Sequence, residues 1–99
     1  MIFQIVFHSV AKQEYEESYH WYEQAQAGLG DRFEKITEQT LLQIIQYPEN
    51  YGYSKIPFRE ATIRGFPYTI VYKLNKRKRR IFISAIYHTK RNPKFKYRK

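Results

Sequence analysis

Residues 65–88 read GFPYTIVYKLNKRKRRIFISAIYH, and this stretch decides the fold. Gly65, Phe66 and Pro67 form a turn, after which Tyr68, Ile70, Tyr72 and Leu74 alternate with Thr69, Val71 and Lys73. A period of two with β-branched and aromatic residues predicts a strand. Asn75-Lys76-Arg77-Lys78 breaks the pattern as a basic hairpin loop, and beyond it Ile81, Ile83, Ala85 and Tyr87 alternate with Phe82, Ser84, Ile86 and His88. Phe58–Ile63, upstream of the turn, is a further strand, so three consecutive antiparallel strands are expected.

Further upstream the period becomes helical. Ala11, Tyr15, Ser18/Tyr19 and Tyr22 recur on one face of a segment that Ser9 can cap, with Glu14, Glu16, Glu17 and Glu23 mostly off that stripe. The helix is predicted to run to about Gln26. Gly28-Leu29-Gly30 interrupts it, and Asp31-Arg32-Phe33-Glu34 has the capping chemistry of a second start. Phe33, Ile36, Thr40, Leu41 and Ile44 continue the stripe until Tyr47-Pro48 stops it, because proline lacks the backbone donor. Two helices joined by so short a loop lie antiparallel. Met1–Phe7 (MIFQIVF) is apolar on both faces of a strand except at Gln4, a pattern expected for a strand paired inside a sheet. Glu49–Ser54 reads as a polar link, and the conformation of the tail, Thr89–Lys99, is left open by its pattern.

The expected class is therefore α+β. Its order is β-α-α-β-β-β, an antiparallel-rich sheet with a helical hairpin packed on one face, forming a single domain over residues 1–99 with a basic tail at about 89–99. At 99 residues such a domain buries about 60 to 65% of its unfolded surface, which excludes a large multi-substrate enzyme. Hydrophobic residues at 42% and aromatic residues at 18% are too abundant for a disordered chain.

Charge is divided sharply along the chain. Residues 1–50 hold three Lys or Arg against eight Asp or Glu, a net −5, whereas residues 51–99 hold fifteen against Glu60 alone, a net +14. A polyanion is the natural partner of that half, although a solvated basic surface would carry the same charge. With no cysteine, disulfides, thiolate metal sites and cysteine nucleophiles are excluded. His8, His20 and His88 are too scattered for a metal site, and no cofactor motif is present. No apolar run approaches the ~20 residues of a membrane span and residues 1–7 lack the features of a signal peptide, so the cytoplasm is the expected compartment and no membrane partner is expected.

Taken in order, Trp21-Tyr22-Glu23, Gly28-Leu29-Gly30 with Phe33, Pro48 and Tyr51, Arg59, Phe66-Pro67-Tyr68 with Ile70-Val71-Tyr72, and Ala85, His88, Arg91 and Pro93 resemble the RelE/ParE superfamily of toxins from type II toxin-antitoxin modules. The resemblance spans nearly the whole chain. It implies a small toxin held inactive by a cognate antitoxin, whose members either cleave messenger RNA on the ribosome or poison DNA gyrase. Two positions depart from the family pattern: Lys96 stands where a tryptophan is common, and Thr69 where the nuclease branch commonly has an arginine. The glycine loop and Phe66-Pro67-Tyr68 look more like the ParE-type branch.

Metal-free RNA cleavage needs a proton acceptor, a proton donor and fixed positive charge on the phosphorane-like transition state. His88 suits either proton role, and Arg59 and Arg91 could converge with it on a phosphate, beside Tyr87. This chemistry inclines the sequence reading toward a ribosome-dependent mRNA endonuclease, with gyrase inhibition or a non-toxic nucleic-acid-binding module as alternatives. For each residue a structural role competes: an ordinary hydrogen bond for His88, an ion pair for Arg59, a solvated tail position for Arg91 and packing for Tyr87. Lys76, Arg77, Lys78, Arg79 and Arg80 are candidate phosphate contacts, or guards against edge pairing. Lys90, Lys94 and Lys96, with Phe95 and Tyr97 interleaved, could follow a single strand or seat an acidic antitoxin. The row Tyr15, Tyr19, Tyr22 with Trp21 is expected to face the sheet together with a partner surface.

Overall fold

A computed structural model describes residues 2–99; Met1, the first residue of the expected N-terminal strand, lies outside the described residues. The elements are β1 (Gln4–Phe7), α1 (Ser9–Ala25), α2 (Leu29–Gln46), β2 (Tyr53–Lys55), β3 (Phe58–Ile63), β4 (Tyr68–Asn75) and β5 (Arg80–His88), followed by a 3-10 turn at Pro93–Phe95. They form one five-stranded sheet in the order β1-β5-β4-β3-β2. β1 runs parallel to β5, and the other neighbours are antiparallel.

The expected α+β architecture is present, with two differences at the sheet margins. β1 lies at an edge and pairs with β5 alone, not inside the sheet. Its apolar character is explained by Phe3, Ile5 and Phe7, which pack on the core from the helix side, while Val6 is 38% exposed. The stretch read as a polar link runs into the short strand β2, which pairs Tyr53 with Arg59 and Lys55 with Phe58.

Alternation along β5 is broken by a register shift. Val71 pairs with Ala85 but Tyr72 pairs with Ile83, so Ser84 is an extra residue on β5. A bulge of this kind moves every later side chain to the opposite face. Ile81, Ile83 and Ile86 therefore join the helix-side core with Phe33, Ile44, Ile63, Ile70 and Tyr72. Ala85 and Tyr87 instead join Phe58 and Val71 in a second cluster on the other face, against which Tyr97 of the tail packs.

The helix ends also differ from expectation. Ser9 is the first helical residue of α1, and the cap is His8, whose Nδ1 accepts from the Val10 amide at 3.1 Å. α2 starts at Leu29, ahead of the Asp31 cap expected for it. Glu23 of α1 provides the acceptors: its carboxylate takes the amides of Gly28 at 2.8 Å, Gly30 at 3.0 Å and Asp31 at 3.3 Å. Three otherwise orphan donors are thus satisfied by the preceding helix. Gly28 has φ 88°, a backbone conformation that favours glycine, and a Cβ on Gly30 would lie 2.6 Å from the Tyr19 carbonyl oxygen, so the close approach of the helices requires glycine at Gly30.

Candidate functional site

Two surfaces carry the candidate residues. The first is a groove of about 550 Å³ between α1 and the start of β4, lined by Trp21, Tyr22, Pro67, Tyr68, His88, Lys90 and Arg91. His88 reaches it because the Ser84 bulge turns the end of β5 toward the helices, where it pairs with Tyr68 and their rings meet edge to face at 5.0 Å. The Nδ1 atom accepts from the Lys90 amide at 3.1 Å, which fixes the ring and makes Nε2 the atom available to a ligand. Trp21 is 64% exposed at this rim, whereas Tyr22 of the same row lies in the helix-side core and Tyr15 packs against it.

Arg91 enters the groove already engaged. Its Nη1 lies 2.9 Å from Oε2 of Glu14, a carboxylate only 6% exposed. Glu14 is the residue that sequence reasoning missed. It accepts from the Ile86 amide at 3.1 Å on the stretch of β5 beyond its pairing with β1, and from Nη1 and Nη2 of Arg98 at 2.9 Å each. A signal existed: Glu14 lies three residues after Ala11 and four before Ser18, on the buried stripe itself.

The other two residues proposed alongside His88 lie elsewhere. Arg59 pairs with Tyr72 whereas His88 pairs with Tyr68, a separation of about 13 Å along β4 at strand rise. Its guanidinium donates to the carbonyl of Tyr51 at 2.6 Å, that of Glu49 at 3.2 Å and the Tyr53 hydroxyl at 2.9 Å, and lies 4.0 Å over the Tyr53 ring. Arg59 thus ties down the chain leading into β2. Tyr87 is on the opposite face, where its hydroxyl donates to the Arg91 carbonyl.

The second surface is the sheet face away from the helices. The tail folds across part of it: Ser84 Oγ donates to the Lys96 carbonyl at 2.7 Å and accepts from the Arg98 amide at 2.6 Å, and Lys96 pairs with Glu60 at 2.9 Å. Lys96 also lies 4.8 Å over the Tyr87 ring, so it is committed within the fold. Burial opposes ionisation of Glu60, but hydrogen bonds from Lys96 and Ser54 outweigh it and hold the carboxyl below its usual range. Lys90 and Lys94 are exposed, as are Lys76, Arg77, Lys78, Arg79 and Arg80 on the β4–β5 turn. Of the turn residues, Lys76 alone among the described residues has a carboxylate partner, Glu49 at 3.2 Å. Among the described residues no three His, Asp or Glu side chains gather into a cluster that could hold a metal, and no helix is long and apolar enough to cross a membrane.

The fold has relatives. A free-state, double-arginine mutant of the E. coli toxin RelE is similar, with a TM-score of 0.69 at 17% identity, covering 91% of this chain and 86% of that one. At that identity the likeness establishes a shared fold. A search of curated protein sequences returns no match. The sequence profile described as "ParE toxin of type II toxin-antitoxin system, parDE" matches residues 5–93. That span takes in both helices, all five strands but the first residue of β1, and the whole groove, and the chain belongs to this family of type II toxins, which pair with a cognate antitoxin.

Proposed function

We propose that this toxin arrests growth by binding, as a ParE-type inhibitor of DNA gyrase, and not by cutting RNA. The observation that carries this reading is the position of Arg59. Cleavage chemistry built on this chain requires fixed positive charge beside His88, yet Arg59 is about 13 Å away along β4 and spends its donors on the chain at 49–53. The remaining arginine, Arg91, is held by Glu14, whose single charge it shares with Arg98. What the groove offers instead is a recognition surface: an exposed tryptophan beside Tyr68, with His88 and Lys90 at the rim.

A ribosome-dependent endonuclease is the second reading. It is favoured by one feature, the placing of His88, Lys90 and Arg91 in a single groove with a base-sized aromatic beside them. Two assays separate the readings. Purified toxin is added to gyrase supercoiling and cleavage reactions, and to a reconstituted translation system in which messenger 5′ ends are mapped by primer extension. Inhibited supercoiling with unchanged messenger ends is expected, and Trp21→Ala should weaken it more than His88→Ala. New ribosome-dependent ends that vanish in His88→Ala, with gyrase unaffected, would overturn the proposal.

A further inference from the structure

We propose that the sheet face opposite the helices carries a second binding surface, a phosphate-backbone groove for double-stranded DNA, separate from the His88 groove. It is a depression of about 690 Å³ at the β4–β5 turn, and Lys73, Lys76, Arg77, Lys78, Arg80 and Lys99 line it over an apolar floor that includes Val6 and Phe82. No Asp or Glu is in its lining, and among the described residues five of these six cations have no carboxylate partner. Such a concentration of unpaired charge is costly to maintain except against a polyanion.

The aromatic rings of this face decide which polyanion. Single-strand binders expose rings on which unstacked bases lie. Here the Lys73 ammonium sits 5.6 Å over Phe58 and 5.4 Å over Phe82, while that of Lys96 sits over Tyr87 and Tyr97. The face therefore presents charge where a base would need a ring. An acidic peptide would set apolar side chains on the floor of Val6 and Phe82, an occupant that the competition below distinguishes. A duplex needs no exposed ring, because its bases are stacked inside and its phosphates face outward. The surface deepens the gyrase reading by giving the toxin affinity for the DNA on which that enzyme acts, but its test does not depend on that reading.

The test is fluorescence anisotropy of a labelled duplex of arbitrary sequence titrated with the purified chain at several salt concentrations. Five phosphate contacts predict a slope of log affinity on log salt of about −4.5, a loss of about 500-fold between 50 and 200 mM. Arg77→Glu combined with Lys78→Glu removes two contacts and should bring the slope to about −3. Arg32→Glu with Lys35→Glu makes the same charge change on the exposed side of α2 and should leave the slope at its original value. Circular dichroism checks that both variants are folded. The proposal is overturned if the duplex fails to bind, if the two double variants behave alike, or if single-stranded DNA or polyglutamate at equal charge displaces the duplex more effectively than unlabelled duplex does. Duplex binding without gyrase inhibition would support this surface and remove the target reading; gyrase inhibition without duplex binding would do the reverse.

Discussion

Glu14 and Arg98, 84 positions apart in the chain, are joined by two contacts of 2.9 Å, and this pair closes the molecule. Beyond its pairing with β1, β5 leaves the Ile86 amide without a strand neighbour on that side, and Glu14 satisfies it. The resulting buried carboxylate needs countercharge, which Arg98 and Arg91 supply from the tail. An acidic residue of the first half and two basic residues of the second are thus tied together inside the fold.

Glu14→Gln should destabilise the fold by about 3 kcal/mol, because removing one partner of a buried pair leaves the others uncompensated. Arg98→Met should cost less, since Glu14 keeps Arg91 and the Ile86 amide. Urea denaturation gives both values. Amide exchange should quicken first at residues 96–98 in each variant, and equal protection of the tail in all three proteins would contradict the role given to Glu14.

The helix crossing permits a sharper contrast. Gly30→Ala puts a Cβ 2.6 Å from the Tyr19 carbonyl oxygen and 2.8 Å from Glu23 Cβ, and should cost about 3 kcal/mol by forcing the helices apart. Gly28→Ala meets open space and should cost only about 1 kcal/mol for its left-handed backbone. Glu23→Ala lies between them at about 1 to 2 kcal/mol, as the loss of a cap. Thermal melts of the three variants test the ranking.

Glu60 and Lys96 predict a pH dependence. The folded carboxyl of Glu60 lies below its unfolded value, so the contact's contribution is complete above the unfolded pKa of about 4.3 and is lost as pH falls toward the folded one. For Lys96, burial favours the neutral form, but the hydrogen bond to Glu60 prevails and raises the pKa. Its contribution is complete below about pH 10.4 and is lost only as pH rises beyond that. Urea midpoints measured between pH 3 and 6 should fall less steeply for Glu60→Gln than for the parent protein.

Much of this architecture was legible in residues 65–88 and in the two helical stripes, because period-two and period-3.6 patterns report which face is buried. The Ser84 bulge was not legible. Its cause is the pairing of β5 with β4, and the run Ile81–Tyr87, apolar on both faces except at Ser84, reads equally well in either register. For the same reason, the alternation separated His88 from Tyr87 but did not tell that His88 would face the helices and Tyr87 the far side of the sheet. Arg59 was a candidate for phosphate because arginine presents a permanently charged fork, with an ion pair as the competing structural role. Its true partners are backbone carbonyls of a loop whose path no local pattern records. Glu14 was passed over because a carboxylate on a buried stripe has no meaning until its two arginines, distant in sequence, are brought to it.

The last expectation follows from that placement of Arg59. Arg59→Ala removes two bonds to carbonyls, one to a hydroxyl and the stacking on Tyr53, and should cost about 2 to 3 kcal/mol, since hydrogen bonds from a charged donor are among the stronger ones. Amide exchange should rise across residues 49–55 while the Trp21–His88 groove keeps its protection. His88→Ala should change stability by less than about 0.5 kcal/mol, being a partly exposed side chain with one local hydrogen bond. If Arg59→Ala abolishes growth arrest at a temperature where the variant is still folded and the 49–55 segment is undisturbed, Arg59 touches the target and its structural assignment fails. If toxicity falls only in step with the loss of fold, its part is to hold β2 in place.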